Sequence, residues 1–285
     1  MKQRFFLILP LLAVLLLSAC SAAAPVTTTT EEKLPAVTSD LQLYCFQAGK
    51  ADAFLFWNDA GAVLIDTGES GFGKVILEKM EELGISRIDV LILTHFDKDH
   101  VGGAKKLLNS IEIGTIYQSN CPKTGADAYE KYVAALAESG KTAQTVRERV
   151  SFLLGDTVFT INPPAEETYS VSPSNNSSLI VRVMHGTVRM LFCGDAGDAR
   201  MTEYLRTDAS SYQLVKLPHH GAWQTSLNTL IAQTKPEYAL ITSSDEETED
   251  AQTRELLEEA GVKILLTRLG PVQISSDGER LLIQS

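Results

Sequence analysis

The sequence is poor in the features that mark several common classes of protein. It has four cysteines in 285 residues and no C-x-x-C spacing, so neither a zinc knuckle nor a disulfide framework is indicated. Basic residues are outnumbered by acidic ones, 25 to 36, which argues against a broad, sequence-independent grip on nucleic acid, because such binding needs basic patches. No apolar run reaches the roughly 20 residues of a membrane-spanning helix. What remains is the composition of an ordinary globular core, with 44% hydrophobic residues.

The N-terminus has the anatomy of a secretory signal. Two basic residues precede an apolar run over residues 5–17, and the segment ends in Leu-Ser-Ala-Cys at residues 17–20. This tetrapeptide resembles the lipobox of bacterial lipoproteins. We therefore expect residues 1–19 to be removed as a signal peptide and Cys20 to carry a lipid that anchors the protein at the extracytoplasmic face of the cell membrane. An ordinary signal peptide cut near Ala24 and an uncleaved anchor are the alternatives.

The remaining chain divides at about residue 40. Residues 20–40 are rich in small and polar types without apolar periodicity, and they predict a flexible tether. From residue 41 onward, short apolar or alternating runs are separated by Gly, Asp and Asn and are interrupted by helical periods. No linker-like break follows, so residues 41–285 are predicted to form one domain. Its strand-dominated pattern is compatible with two sheets packed face to face and covered by helices.

Polar clusters stand at the downstream ends of five predicted strands. They are Asp66, the run His95–His100, Asn175–Asn176, Asp195 and His219–His220. Strand ends are fixed points from which imidazole and carboxylate groups of several loops can converge on a divalent metal. Each cluster alone is weak evidence, because such residues are common in turns. Their joint occurrence with a His-x-Asp-x-Asp-His run predicts a metal site.

Two further features of the sequence lie outside these clusters. His185, the one histidine outside the clusters, lies at a predicted hairpin turn, and we expect it to be exposed and inert. The acidic run Asp245–Asp250 has the composition of a solvated loop. If the run borders the site, it would repel polyanions and favour small or zwitterionic substrates over long DNA.

The order of the motifs resembles the metallo-β-lactamase superfamily. The motifs are Asp66-Thr67-Gly68, Thr94-His95-x-Asp97-x-Asp99-His100-x-Gly102-Gly103, Gly194-Asp195 and His219-His220-Gly221. Within the superfamily the chain is similar to the hydrolase domain of ComEC-type competence proteins, and it shares its aspartate-rich second motif with bacterial phosphorylcholine esterases. The resemblance covers about residues 41–285. It implies an α+β fold, an αββα sandwich of two packed mixed sheets flanked by helices, with two divalent metal ions at one edge.

The resemblance also implies a role for each residue of the site. The implied ligands are His95 and Asp97 for one ion, Asp99, His100 and His220 for the other, and Asp195 as the bridge between them. Asp66, Asp99 and His219 are expected to act in catalysis. Asp66 would orient a ligand or the bridging water. His219 would donate a hydrogen bond to an anionic oxygen of the substrate.

The sequence departs from the commoner superfamily pattern at the first ion. Asp97 stands where a second histidine is usual, and no histidine stands near Asn175–Asn176. The ion at His95 and Asp97 would therefore have fewer and harder ligands, which puts its occupancy in doubt. Oxygen-rich ligation also makes Mn²⁺ a competitor of Zn²⁺.

The expected function is hydrolysis of a phosphodiester outside the membrane. A hydroxide held between two metal ions is nucleophilic at neutral pH, because coordination lowers the pKa of water from about 15.7 toward 7. The expected substrate is single-stranded DNA or a small phosphodiester, and no protein partner is evident. One alternative keeps the fold but hydrolyses a β-lactam, thioester or lactone. The other is a surface binding lipoprotein with a degenerate, non-catalytic site.

Overall fold

The described part of the chain forms fifteen strands, most of them short continuous or alternating apolar runs, and eight α-helices, most of which have apolar residues at helical spacing. The structure, a computed structural model, describes residues 35–284, so the predicted signal peptide, Cys20 and most of the tether lie outside the described residues. In chain order the strands are β1 (Leu41–Cys45), β2 (Phe54–Asn58), β3 (Gly61–Ile65), β4 (Arg87–Leu93), β5 (Glu112–Gln118), β6 (Gln144–Thr145), β7 (Val150–Leu154), β8 (Thr157–Asn162), β9 (Ile180–His185), β10 (Val188–Phe192), β11 (Leu214–Lys216), β12 (Tyr238–Ile241), β13 (Lys263–Leu266), β14 (Val272–Ser276) and β15 (Leu281–Gln284). The helices are α1 (Gly73–Glu82), α2 (Lys98–Val101), α3 (Ala104–Leu108), α4 (Asp127–Glu138), α5 (Pro173–Asn176), α6 (Asp198–Thr207), α7 (Ser226–Thr234) and α8 (Ala251–Glu259), with short 3-10 helices at Pro218–Gly221 and Thr267–Leu269.

The strands form two mixed sheets. The first has the spatial order β15-β14-β1-β2-β3-β4-β5-β6, and the second has the order β13-β12-β11-β10-β9-β8-β7. Strands β3 to β6 run parallel to one another in the first sheet, and β10 to β13 do so in the second. Each parallel pair is joined through at least one helix, as parallel pairing requires. The carboxyl ends of the parallel strands therefore meet at one edge of each sheet.

Three hydrophobic cores separate four layers. Along β2, Phe54 and Phe56 point into the core between the sheets, while Leu55 points to the opposite face, toward helices α1, α3 and α4. Phe56 meets Phe159 and Phe192 of the second sheet, with ring centroids 5.3 and 5.2 Å away. The third core lies between the second sheet and helices α6, α7 and α8. The predicted αββα sandwich of two mixed sheets flanked by helices is confirmed.

His185 is not at the surface. Its side chain is fully buried, its Nδ1 lies 2.9 Å from the Ser276 hydroxyl oxygen, and its Nε2 lies 3.0 Å from the Ser39 carbonyl oxygen. The turn after β9 packs against the turn between β14 and β15, where the Thr187 amide donates to the Gly278 carbonyl. The expectation of an exposed histidine is wrong, because a second turn covers this one.

The described residues include no helix that is both long and apolar enough to cross a membrane. Cys45, Cys121 and Cys193 are free thiols, and the first and last of them are buried. The fold of residues 35–284 therefore depends on packing and hydrogen bonds rather than on disulfides among these three cysteines.

Candidate metal centre

The motif residues stand directly after parallel strands of both sheets. In the first sheet, Asp66 follows β3 and His95 follows β4. In the second sheet, Asp195 follows β10 and His220 follows β11. The side chains from the two sheets meet, since Nε2 of His220 lies 3.2 Å from Oδ2 of Asp195 and Nε2 of His95 lies 3.9 Å from the same oxygen. The site therefore joins the edges of the two sheets.

Four of the predicted ligands converge on one point. Donor atoms of Asp99, His100, Asp195 and His220 all lie within 4.8 Å of one another. Nε2 of His100 is 3.3 Å from Oδ1 of Asp195, and Nε2 of His220 is 3.3 Å from Oδ2 of Asp99. Ligands that share one ion at bond lengths of about 2.0–2.2 Å have separations of this size. Three of the four residues are buried and Asp99 is partly exposed, which leaves the cluster open to solvent on one side.

The imidazole nitrogens that face the cluster lack other partners. Nε2 of His95, His100 and His220 are all buried, and none has a hydrogen-bond partner among residues 35–284. Buried polar atoms without partners are costly, and three of them directed toward one acidic cluster suit a cation. The donor set present therefore fits a divalent metal ion.

The opposite nitrogen of each ring is held by a neighbour. Nδ1 of His100 lies 2.8 Å from the Asp66 carboxylate, Nδ1 of His220 lies 2.9 Å from the Thr242 hydroxyl, and Nδ1 of His95 lies 3.2 Å from the Thr94 hydroxyl. A proton on Nδ1 leaves Nε2 free for a metal. The Thr94 hydroxyl and amide both donate to Asp66 as well. Asp66 thus contacts both His100, on the side of its ring away from the cluster, and Thr94, the neighbour of His95.

The charged groups of the cluster strongly shift one another's pKa values. Burial acts to raise the pKa of Asp195, but the His220 and His100 rings outweigh it and hold that pKa well below its usual range. Burial acts to lower the pKa of His100 and His220, yet the Asp195 carboxylate outweighs it and both pKa values lie above the usual one. A metal ion that binds here must displace protons from these two rings.

The second predicted metal position is less complete. Nε2 of His95 lies 3.8 Å from Oδ1 of Asp97, and burial together with His100 lowers the pKa of His95 to about 3. The same Asp97 oxygen lies 2.7 Å from the Lys123 ammonium and accepts a hydrogen bond from the Ser174 hydroxyl. These two partners were not foreseen, since Lys123 lies in an irregular loop and Ser174 lies in the short helix α5, and neither belongs to a motif.

A buried ion pair behind the cluster was also missed. The Lys216 ammonium is fully buried, pairs with Asp52, donates to the Gly194 carbonyl at 3.1 Å and lies 3.8 Å from Asp195. The other oxygen of Asp52 accepts a hydrogen bond of 2.7 Å from Thr242, the residue that holds His220. The sequence did offer one signal for this pair, namely a lysine within an apolar strand. A lysine in such a strand is expected to be buried, and a buried lysine needs a charged or polar partner.

Backbone strain is concentrated at the site. Asp66, His219 and His220 have φ values of 56°, 49° and 55°, in the left-handed region that costs an ordinary residue roughly 1–2 kcal/mol. A close backbone approach adds to this, since a Cβ at Gly103 would lie 2.3 Å from the Thr67 carbonyl oxygen. Strain of this kind clusters at functional sites, where the surrounding structure maintains it.

His219 lies beside the cluster rather than in it. Its Nε2 is 3.4 Å from the Asn175 amide nitrogen, and it lines a cavity of about 410 Å³ together with Gln224. A second cavity, of about 440 Å³, is lined by Asp97, Asp99 and neighbouring residues. The centre is thus flanked by two cavities, and His219 is placed to contact a group bound in the first.

The acidic run adjoins the His-His-Gly loop. The Asp250 amide donates to the Gly221 carbonyl at 3.3 Å. Glu249 is buried and pairs with Arg254 and Arg268, so the expectation of a wholly solvated loop is wrong at this residue. The buried pairing fixes the run next to the site.

Comparisons with known proteins relate the chain to one superfamily. The family model of the metallo-beta-lactamase superfamily matches residues 47–243. The chain is 26% identical over 230 residues to ComE operon protein 3 of Bacillus subtilis (strain 168), covering 73% of this chain and 29% of that protein. It is 28% identical over 216 residues to competence protein ComA of Neisseria gonorrhoeae, covering 73% and 28%. The chain thus spans less than a third of the length of these relatives.

A solved structure supports the fold. The metallo-beta-lactamase fold protein YhfI from Bacillus subtilis superposes with a TM-score of 0.53 at 11% identity, over 82% of this chain and 98% of that one. At this identity the likeness concerns the arrangement of the sheets and helices and not the substrate.

Proposed function

Because this chain belongs to the metallo-β-lactamase superfamily, we propose that it is a metal-dependent hydrolase that cleaves phosphodiester bonds on the extracytoplasmic face of the membrane. The superfamily and the competence proteins among its relatives agree with the resemblance seen in the motifs. The proposed substrate is a DNA strand or a small phosphodiester.

The observation that carries the proposal is the cluster of Asp99, His100, Asp195 and His220. Two imidazole nitrogens without partners and two carboxylates surround a single point. A mixed nitrogen and oxygen set of this kind suits Zn²⁺ or Mn²⁺. A bound divalent ion supplies water activation at neutral pH and offsets negative charge on a phosphoryl oxygen.

The chain's own residues prepare that centre. Asp66 holds the Nδ1 side of His100 and so fixes the direction of its Nε2. Thr242 does the same for His220. His219, in the adjoining cavity, is placed to donate a hydrogen bond to an oxygen on which charge develops, and such donors stabilise transition states most when they are fixed in advance.

The nature of the site supports a phosphoester substrate. With Asp97 and Asp99 in the second motif and Asp195 between the sheets, the site is rich in carboxylates that can hold hard cations, which in turn bind phosphoryl oxygens. The fixed acidic run beside Gly221 disfavours long polyanions at that side. A short strand end or a small phosphodiester therefore suits the site better than the middle of a long duplex.

The proposed location rests on residues 1–40. A lipid on Cys20, after removal of residues 1–19, would hold the domain on the outer face of the membrane through a tether of residues 20–40.

The test is turnover by the full chain in detergent, loaded with Mn²⁺ or Zn²⁺. Bis-p-nitrophenyl phosphate and single-stranded DNA serve as substrates. We expect metal-dependent cleavage that falls by at least about 100-fold in Asp195→Asn, because the substitution removes a charged ligand. Asp59→Asn makes the same change of charge at an exposed position in the turn between β2 and β3, at the end of β3 away from Asp66, and should leave the rate unaltered. Equal rates in the wild type and Asp195→Asn would refute the proposal.

A further inference from the structure

The Oδ1 atom of Asp97 faces two competing groups. It lies 3.8 Å from Nε2 of His95, with which it would share a second metal ion. The same atom lies 2.7 Å from the Lys123 ammonium, and the Ser174 hydroxyl donates to it. A carboxylate oxygen has two lone pairs, and both are engaged here, so Oδ1 must give up one of these partners before it can bind a cation.

The remaining donors at this position do not compensate. Among residues 35–284, the one other acidic residue with an oxygen within 4.0 Å of Nε2 of His95 is Asp195, whose Oδ2 lies 3.9 Å away. That oxygen is closer to the first cluster, at 3.2 Å from Nε2 of His220. A second ion would thus be bound by His95, by an Asp195 oxygen that it shares with the first ion, and by the Asp97 oxygen that already contacts Lys123. The first position, in contrast, has four residues whose donor atoms converge.

The charge of Lys123 also disfavours a second ion. A divalent ion on Asp97 would lie within a few ångström of the Lys123 charge, and like charges at that distance repel strongly in a partly buried site. The Asp97 side chain is 25% exposed and that of Lys123 is 40% exposed, so the lysine is at the surface and can leave. Lys123 also lines the cavity beside Asp97 and Asp99, where its charge adjoins the centre.

We propose that Lys123 takes the place of the second metal ion. Its ammonium holds Asp97, so the centre binds one divalent ion tightly at Asp99, His100, Asp195 and His220, and binds a second at His95 and Asp97 only when Lys123 is displaced. Lys123 is a positioning residue in this scheme. The inference rests on the proposed metal-dependent function, and it departs from the two-ion centre that the motifs imply.

Metal titration tests the proposal without reference to turnover. The full chain in detergent is stripped with a chelator and titrated by calorimetry with Mn²⁺ and, separately, with Zn²⁺, with elemental analysis of each complex. We expect one tight ion per chain in the wild type. In Lys123→Met we expect a second ion, bound at least about tenfold more tightly than any second ion of the wild type, a change typical of residues that contact a metal ligand.

Two further variants serve as controls for the effect of Lys123→Met. Lys98→Met removes a charge from the same cavity, but Lys98 is 77% exposed and pairs with Glu69, so one tight ion is expected as in the wild type. Asp97→Asn combined with Lys123→Met should lose the second ion and keep the first. This loss would show that the gained ion uses Asp97.

The other outcomes separate the two proposals. Two equally tight ions in the wild type, or a single ion in Lys123→Met, would overturn the role of Lys123 and leave the metal-dependent function standing. A wild type that binds no Mn²⁺ or Zn²⁺ would overturn both.

Discussion

Each histidine of the centre uses its two ring nitrogens differently. On His100 and His220, Nδ1 contacts Asp66 or Thr242 and Nε2 faces Asp99 and Asp195. The two contacts on Nδ1 are made within the protein, on the side of each ring away from the cluster. Protons and metal ions therefore compete for Nε2 alone, and this competition depends on pH.

Metal affinity is predicted to rise with pH. The folded-state pKa values of His100 and His220 lie above their unfolded value of about 6.5, so without metal both rings are protonated around that pH. Their contribution to the stability of the metal-free protein is complete below about pH 6.5 and is lost as the pH rises through the folded-state values. Binding must release these protons, so affinity should increase by up to about tenfold per pH unit for each proton released.

Calorimetric titration with Mn²⁺ at pH 6, 7 and 8 measures this effect. Repeating it in two buffers with different ionisation enthalpies counts the protons released. A flat affinity across this range with no proton release would contradict the assignment of His100 and His220 as ligands.

His219 should affect the reaction rather than metal binding. Its ring lies beside the cluster, near Asn175, and contacts the cavity. Replacement of one fixed donor to a developing charge commonly costs about 100-fold or more in kcat. We expect His219→Ala to lose about that much kcat on bis-p-nitrophenyl phosphate while Mn²⁺ affinity stays within about twofold. A loss of metal instead would make His219 a ligand.

At the scale of elements, most of the candidate site could be predicted from the residues that follow the strands. Alternation and glycine turns located β3, β4, β10 and β11, and the polar residues that follow them lie together in the structure. The ion pair of Lys216 with Asp52 was not recognised, because a pattern along β11 does not reveal a partner in the segment before β2. Lys123 lies in a loop with no period at all. Such contacts arise between segments distant in sequence, and only the packing of the two sheets creates them.

The hairpin of β9 and β10 shows the same limit at His185. Hairpin turns are usually exposed, but this one is covered, and the His185 ring lies between Ser276 and Ser39 with Asp156 at 3.5 Å. We expect His185→Ala to lower the free energy of unfolding by about 2 kcal/mol or more, because it leaves buried polar groups without partners.

Urea unfolding of metal-free protein measures that loss. His185→Asn, which can keep one hydrogen bond, should lose less, and Mn²⁺ affinity should be unchanged in both variants. A change within about 0.5 kcal/mol for His185→Ala would be the behaviour of a surface residue and would contradict the buried role.

At the scale of the whole molecule, the centre joins the two sheets at the edge of their shared apolar core. The first sheet contributes Asp66 and the His95–His100 run, and the second contributes Asp195 and His220. A bound ion would therefore connect the two sheets. Because the chain has a net charge of −11, the positive charge of the ion would also offset repulsion among the acidic residues at the centre. The same negative charge limits the substrates that approach, which favours small or short phosphodiesters.

The most direct test of the central claim is one comparison of kcat/KM, made with the same metal-loaded protein, between bis-p-nitrophenyl phosphate and a chromogenic β-lactam. We predict metal-dependent turnover of the phosphodiester that is lost in Asp195→Asn, with β-lactam hydrolysis at the background rate. Turnover of the β-lactam that depends on metal and on Asp195, with none of the phosphodiester, would contradict the account.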